Sequence, residues 1–438
     1  MKVVLLSVDC LRRDHVTREY MPNTEELMGE SVRFEECIAT GTRTADAMPM
    51  LISSTYPSSY GGVGLTKGQN PIGELLTSHP TALFHSNVNL QSQFGYDRGF
   101  DDIFDFKTIS EVEKHRKEAN PIKSPLVNIA EKTGIEKGGT IWDFGKKIIG
   151  SFNKPATLPY ATAEETLAKF REWKTTHRNY FCWVHLMDPH PPYSVRPNYI
   201  DEDLSEESVE RVSGRTFTVT DSGQMKDDFT EADRDTIKEL YRSEIRYLDE
   251  HLAKVITELI NEGASVILTA DHGEHLFEYD GGYGHHTGIW DELVDIPLCI
   301  WSPNLQSEKR DQRASLLDIA PTIADLFDIQ PSETYEGTSL LEANQAENPI
   351  IGERMDGFKS EVHFVYCDTE DGRVGYYPQQ DKWIRLTETR DAIYEVSPSD
   401  IESAAVPIQK HLSSQTIKNR QVEIDEETEQ RLADLGYR

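Results

Sequence analysis

No apolar run in the 438 residues approaches the roughly 18 that a membrane-spanning helix needs, so no such helix is expected. The stretch VVLLSV lies between Lys2 and Asp9, too short for the apolar core of a secretory signal, and reads as a first buried strand. A cytoplasmic location is the resulting expectation. Cysteine is scarce and scattered, at positions 10, 37, 182, 299 and 367, with no C-x-x-C spacing. That pattern argues against a zinc module or a disulfide framework and for reduced, buried thiols. Positive charge is also short: 45 Lys and Arg face 76 Asp and Glu, a formal net charge of −31. Such a field repels nucleic acid and anionic membranes, and no basic-aromatic motif offsets it. The glycine string GGYGHHTG follows no strand and lacks the spacing of a nucleotide loop.

Short apolar runs alternate with helical stretches over residues 1–105. Residues 107–158 differ, with ten Lys or Arg against six acids. They read as a solvated helical insertion pairing with acidic neighbours; guidance of an anionic substrate is the alternative. Thr162 and Glu165 make a capping-box signature ahead of Leu167, Phe170 and Trp173. Residues 204–232 are polar and rich in Gly, Ser and Asp, and read as a long loop. The strongest helix is expected over 236–262, where Ile237, Leu240, Ile245, Leu248, Leu252, Val255 and Leu259 form one stripe that Gly263 ends. The strand SVILTA follows at once, so the class is α/β with a mainly parallel sheet. Past residue 345, HFVYCD, VGYY, KWIRL and AIYEV look like short antiparallel strands. Two domains are expected, 1–345 and a smaller α+β subdomain at 346–438.

Four apolar runs finish in groups that are costly to bury. VVLLSV ends in Asp9, TALF in His85, Ser86 and Asn87, YFCWV in His185 with Asp188 and His190 beyond, and VILTA in Asp271 and His272. In open α/β sheets ligands bind past the carboxyl ends of the strands, so these runs deliver carboxylates and imidazoles to one edge. Carboxylates gathered without positive partners repel each other, and a divalent cation resolves that. Oxygen and nitrogen ligands of this kind suit Zn, Mn, Mg or Ca. The stretch GTRTADAMPMLISSTYP adds Thr44 where a helix-like segment begins. A helix N-terminus favours a tetrahedral anion, and a hydroxyl placed there beside a metal is activated. Thr42 is the alternative hydroxyl, an ordinary helix cap is the plainer role for Thr44, and Pro49 breaks the helical pattern.

At these residues the chain resembles the sulfatase-like branch of the alkaline phosphatase superfamily. LLSVDCLRRDH, MPNTEELMGESVRF, HSNVNLQSQFGYDRGFDDIF, HLMDPHPPY, LTADHGE, GHHTGIWDELVDIPL, SLLDIAPTIADLFDI and LADLGYR follow the family's order along nearly the whole chain. The resemblance implies a large mixed central sheet flanked by helices, with a small C-terminal antiparallel sheet. It implies hydrolysis of sulfate or phosphate esters through a covalent intermediate. By position, Asp9, Asp271 and His272 match metal ligands, Thr44 the nucleophile and His190 a substrate-contacting histidine. His85 and Asn87 fall where many sulfatases carry a Lys and a His near the sulfate. His285 or His286 falls beside the scissile group. The family's C-x-P-S-R reads Thr44, Ala45, Asp46, Ala47, Met48 here, and the second Asp of the usual opening pair is Cys10. Thr44 cannot become the formylglycine aldehyde, so direct attack by a hydroxyl is the implied route.

The expected cofactor is therefore one divalent cation on Asp9, Thr44, Asp271 and His272. A second cation on Asp188, His190 and His285 is the alternative. Arg12 contacts either the anion or Asp14, and His185 is read as a core residue. The expected partner is a small anionic ester or a sulfated or phosphorylated glycan. The competing functions are a phosphotransferase acting on a glycan or lipid, and a non-catalytic relative that only binds anions.

Overall fold

The structure is a computed structural model that describes residues 1–62, 64–106, 158–215, 217, 223–224, 229–279, 281–341, 349–356, 361–415, 426, 428, 430 and 432. The basic stretch of residues 107–157 and the LADLGYR end, apart from Leu432, lie outside the described residues.

The first fifteen strands in chain order are β1 (Lys2–Val8), β2 (Val32–Ile38), β3 (Thr81–His85), β4 (Asp102–Asp105), β5 (Tyr180–Leu186), β6 (Ser265–Ala270), β7 (His275–Leu276), β8 (Tyr283–Gly284), β9 (Leu298–Trp301), β10 (Glu308–Ser315), β11 (Ile350–Met355), β12 (Val362–Thr369), β13 (Gly372–Tyr377), β14 (Lys382–Leu386) and β15 (Ile393–Glu395). Eight of them form one sheet in the order β10-β2-β9-β6-β1-β5-β3-β4. β9 runs antiparallel to both β2 and β6, while the other pairings are parallel. The sheet is thus mixed and mainly parallel, as the resemblance implies.

β1 sits at the centre, and Val3 through Val8 are fully buried. This is why its sequence is a continuous apolar run and not an alternating one. Its register pairs Val8 with Leu186 on one side and with Ala270 on the other. The three strands therefore end on one rung, and Asp9 and Asp271 both emerge one residue beyond it. Register alone brings together two carboxylates 262 residues apart in sequence.

Helices pack on this sheet. The longest, Glu231–Asn261, opens with a capping box in which Thr230 and Asp233 satisfy each other's free backbone N–H groups. It starts five residues before the expected position 236, because its first turn is held by caps and not by the apolar stripe. All seven expected stripe residues are fully buried, each contributing roughly 1.5–3 kcal/mol. Gly263 at φ 70° reverses the chain into β6. The capping box of Thr162 and Glu165 is also present, on helix Ala163–Lys174.

The reading of 204–232 as a loop needs correction. Residues Glu206–Val212 form a helix capped by Ser205. Its core anchors are Val209 and Val212, too short an apolar pattern to show as a period in the sequence.

The second sheet is five antiparallel strands in the order β11-β12-β13-β14-β15. Four match the expected segments; β11 is additional. Gly352 on β11 meets the Tyr366 ring so closely that an added Cβ would lie 2.0 Å from its Cζ. Buried Arg373 ties this sheet to the first, pairing with Asp368, with Asp291 at 2.8 Å and with Asp295 at 2.6 Å. Tyr366 Oη donates to the Ala39 carbonyl. Among the described residues no helix is long and apolar enough to cross a membrane.

Candidate active site

Asp9 is the hub. Its Oδ2 accepts from Asn87 Nδ2 at 2.7 Å and from Thr44 Oγ1 at 3.4 Å, and lies 3.3 Å from His185 Nε2. Its Oδ1 lies 3.7 Å from His272 Nε2. Asp271 Oδ1 accepts the His272 backbone N–H at 2.9 Å, while Oδ2 is 3.4 Å from His272 Nε2. His272 turns Nδ1 toward the Gly273 carbonyl at 2.9 Å, which leaves Nε2 facing the carboxylates and Thr44 Oγ1, 3.3 Å away. Asp9, Thr44, Asn87, His185, Asp271 and His272 are all fully buried.

Thr44 is the first residue of helix Thr44–Ser53, preceded by Arg43 in extended conformation. Its hydroxyl reaches the carboxylate group, 3.4 Å from Asp9 Oδ2. The helix continues through Pro49. The positive end of the helix dipole favours negative charge beside the hydroxyl. Thr42 lies on the approach to this helix, where its Oγ1 takes a weak hydrogen bond of 3.4 Å from Arg354.

A second group adjoins the first. Cys10 adopts a left-handed conformation at φ 61°, unusual for a residue other than glycine. Its Sγ lies 3.3 Å from Asp9 Oδ1 and 3.8 Å from His285 Nδ1. His285 Nδ1 is also 3.5 Å from Glu274 Oε2. The His285 ring stands 5.3 Å from that of His190 and 5.0 Å from that of His272.

Charge in this buried space is strongly coupled. Burial pushes the Asp9 carboxyl up, but His190, His185 and His272 outweigh it and hold it well below the usual range. Asp271 is raised by burial and by the Asp9 charge. Burial lowers His272, yet Asp271 and Asp9 raise it further, so the net shift is upward. His190 is lowered to about 4, first by burial, against the pull of Asp9. It is neutral at pH 7. The Cys10 thiol is pushed far up by burial, then by Glu274, Asp9 and Asp271.

The structure brings Asp9, Thr44, Asn87, His190, Asp271, His272 and His285 together. It decides between the two adjacent histidines: His285 joins the group, while His286 bonds His275 Nδ1 through Nε2 at 2.9 Å and the Thr287 carbonyl at 3.0 Å. Arg12 is buried. It grips Asp14 at 2.9 and 2.6 Å and Glu278 at 2.6 Å, because a buried guanidinium needs charged partners. His85 directs Nδ1 to the Asn87 carbonyl at 3.0 Å and lines a different cavity, of about 180 Å³, with Asp97 and Asp105. His185, read as a core residue, faces Asp9. Asp188 is tied to Arg196 at 2.6 Å and to the Ala163 backbone N–H at 2.6 Å, so the second trio of candidate ligands is Cys10, His190 and His285. The sequence reading noted Cys10 only as a departure from the family's opening Asp pair and gave Glu274 no role; the string LTADHGE was the available signal for the latter.

A profile described as Sulfatase matches residues 2–329. The chain belongs to the sulfatase family.

Two curated sequences are similar over part of it. One is a 2,3-bisphosphoglycerate-independent phosphoglycerate mutase of Anaplasma phagocytophilum (strain HZ), 25% identical over 35% of this chain and 30% of that protein. The other is the uncharacterized sulfatase YidJ of Escherichia coli (strain K12), 28% identical over 24% of this chain and 22% of that protein. The match thus spans less than a third of either relative. In fold, the chain is similar to the phosphonate monoester hydrolase of Silicibacter pomeroyi. The TM-score is 0.66 at 14% identity, covering 94% of each chain.

The side chains of this sulfatase-family site fit a divalent cation. Asp9, His185 and Asp271, and likewise Asp9, Cys10 and His272, bring ligand atoms within 4.8 Å of one another. Asp9 and Asp271 are both fully buried, and the Asp9 charge raises Asp271, a costly state for two carboxylates unless a cation compensates it.

Proposed function

We propose that the chain hydrolyses phosphate or sulfate esters with Thr44 as nucleophile, beside one divalent cation held by Asp9, Asp271 and His272. The observation that carries this reading is the position of Thr44 Oγ1. It opens a helix and lies 3.4 Å from Asp9 Oδ2 and 3.3 Å from His272 Nε2.

Asp9, Asp271 and His272 would hold the cation, which would supply positive charge to a nonbridging ester oxygen and would acidify a neighbouring hydroxyl. Thr44 Oγ1 attacks phosphorus or sulfur, and the bond to the leaving alcohol breaks. The N–H groups of the first helical turn hold the equatorial oxygens. Neutral His190 has its proton on Nδ1, which bonds the Pro191 carbonyl, so its Nε2 accepts a proton from the water of the second step, and His285, oriented by Glu274, delivers the proton that the leaving oxygen needs. Water then cleaves the threonyl ester. Phosphorus is the better substrate, because Thr44 has no thiol to convert to an aldehyde and an ester to a hydroxyl side chain must be hydrolysed directly.

The test is a Thr44→Ala variant assayed on 4-nitrophenyl phosphate and 4-nitrophenyl sulfate with bound metal measured alongside. Turnover should drop by at least about a thousandfold while metal remains. Near wild-type rates in a metal-loaded variant would refute the covalent route.

A further inference from the structure

β11 of the second sheet is hydrogen-bonded to the segment that leads into the Thr44 helix. The Glu353 N–H donates to the Thr40 carbonyl at 2.9 Å, and the Met355 N–H to Asp46 Oδ1 at 3.1 Å. Arg43 Nη2 donates to the Met355 carbonyl at 2.8 Å. Arg354 stands between these bonds in the chain. Its Nη1 reaches two more acceptors, Thr42 Oγ1 at 3.4 Å and the His285 carbonyl at 3.2 Å.

The bond to His285 matters because of where that histidine sits. It follows Gly284, which is held at φ 82°. Residues 285–290 form no regular structure before helix Asp291–Val294. A ring carried on such a segment keeps its place through specific contacts and not through a ladder of backbone bonds. At the ring, Glu274 Oε2 lies 3.5 Å from Nδ1, at the outer edge of hydrogen bonding. At the backbone, the contact comes from a charged donor, and such bonds are stronger than neutral ones. Nη1 carries two N–H groups in the guanidinium plane, one for each acceptor. That plane fixes both directions at once, whereas a lysine ammonium turns freely on its stem.

We propose that Arg354 is a positioning residue for the leaving-group step. By tying the His285 carbonyl to Thr42, it holds the His285 ring where the departing alkoxide takes up its proton. The ring proton passes to the leaving oxygen as the bond from that oxygen to phosphorus breaks. The inference rests on the ester-hydrolase reading with His285 as proton donor. A residue that only braced the two sheets would, when removed, slow every ester alike.

The experiment compares the wild type with Arg354→Met and Arg354→Lys on 4-nitrophenyl phosphate and ethyl phosphate, with Mn²⁺ supplied and bound metal measured. The readout is kcat/KM, which covers the steps up to departure of the alcohol. The 4-nitrophenolate leaves as a stable anion and needs little protonation, while ethoxide needs a proton in the transition state. In Arg354→Met the value for ethyl phosphate should fall about a hundredfold, the cost of a misplaced catalytic group. For 4-nitrophenyl phosphate the fall should stay under about threefold, with bound metal unchanged. Arg354→Lys should lose about tenfold on ethyl phosphate alone. Unfolding midpoints show which variants fold; if Arg354→Met does not, Arg354→Lys carries the same comparison. Equal losses on the two esters in a folded variant, or no loss on either, would overturn the inference and leave the ester reading standing. A wild type that cleaves neither ester would sink the ester reading and the inference with it.

Discussion

Ser7 Oγ lies 2.9 Å from His185 Nδ1, and both side chains are fully buried. Trp183 Nε1 donates to the same oxygen at 2.8 Å. An indole N–H only donates, so the Ser7 proton is free to point at His185 Nδ1. That arrangement places the imidazole proton on Nε2, facing Asp9 Oδ2. Three strand residues thus orient the carboxylate proposed to bind metal. Replacing Ser7 by Ala should weaken Mn²⁺ affinity about tenfold, the usual cost of losing an outer partner. Trp183→Phe, which keeps the Ser7–His185 contact, should weaken it less. Calorimetric titration of the apoprotein checks both, and unchanged affinity in Ser7→Ala would remove the relay.

Thr44→Ser keeps a hydroxyl at the helix start and drops only a methyl group. Activity on 4-nitrophenyl phosphate should stay within about tenfold of wild type, since the serine has extra rotamers but the same nucleophilic atom. Loss as deep as that of Thr44→Ala would show that the methyl group, and not the hydroxyl, is what the site requires.

Arg12 is buried between acidic partners. Its guanidinium is spent on Asp14 and Glu278, and its Nη1 also donates to the Glu274 carbonyl at 3.2 Å. Arg12→Met should lower stability by about 2–4 kcal/mol, since two carboxylates lose their counter-ion. The discount from a fully buried pair reflects the exposure of Asp14, 58% at its side chain. In urea denaturation the midpoint should fall, while KM for the surviving folded enzyme changes little. A large rise in KM with unaltered stability would return Arg12 to the anion.

The parts of the site legible from sequence are those that follow directly from a buried strand or open a helix. Asp9, Asp271, His272 and Thr44 each stand at such an end, and the strand register does the rest. Cys10 was opaque because its role depends on one left-handed backbone angle that turns Sγ back toward Asp9 and His285. Adjacent side chains such as His285 and His286 point apart, and the loop that follows the two-residue strand β8 leaves no period from which to tell which is which. Arg12 was undecidable for another reason: its second partner, Glu278, lies 266 residues away. β11 escaped notice because Gly352, required by the Tyr366 ring, interrupts its pattern.

The Cys10 thiol, held protonated by burial and by the surrounding carboxylates, should resist alkylation. Iodoacetamide at pH 8 should label it far more slowly in the folded protein than in urea, as read by peptide mass spectrometry. All five cysteines are buried, so the native protein should take up little label at any of them. Rapid labelling of Cys10 in the fold would mean that solvent reaches the centre and the thiol ionises there.

Asp188 and Glu244 share one guanidinium. Arg196 Nη2 lies 2.6 Å from Asp188 Oδ1, and its Nε donates to Glu244. Two buried carboxylates against one cation leave an excess negative charge. Burial raises the Asp188 carboxyl first, Arg196 opposes it and Glu244 adds to it, for a value of about 7. An unfolded Asp titrates near 3.9 (about). Between those two values the folded chain keeps a proton that the unfolded chain has lost, so stability falls as pH rises from about 4 through about 7. Below that window the penalty vanishes, and above it the penalty is complete. Asp188→Asn removes the ionisation while its side-chain oxygen still accepts the Ala163 N–H. The variant should therefore gain stability relative to wild type on going from pH 5 to pH 8. Urea unfolding of both proteins at the two pH values checks this, and parallel pH dependences would mean that Asp188 stays ionised throughout, with Arg196 neutralising it alone.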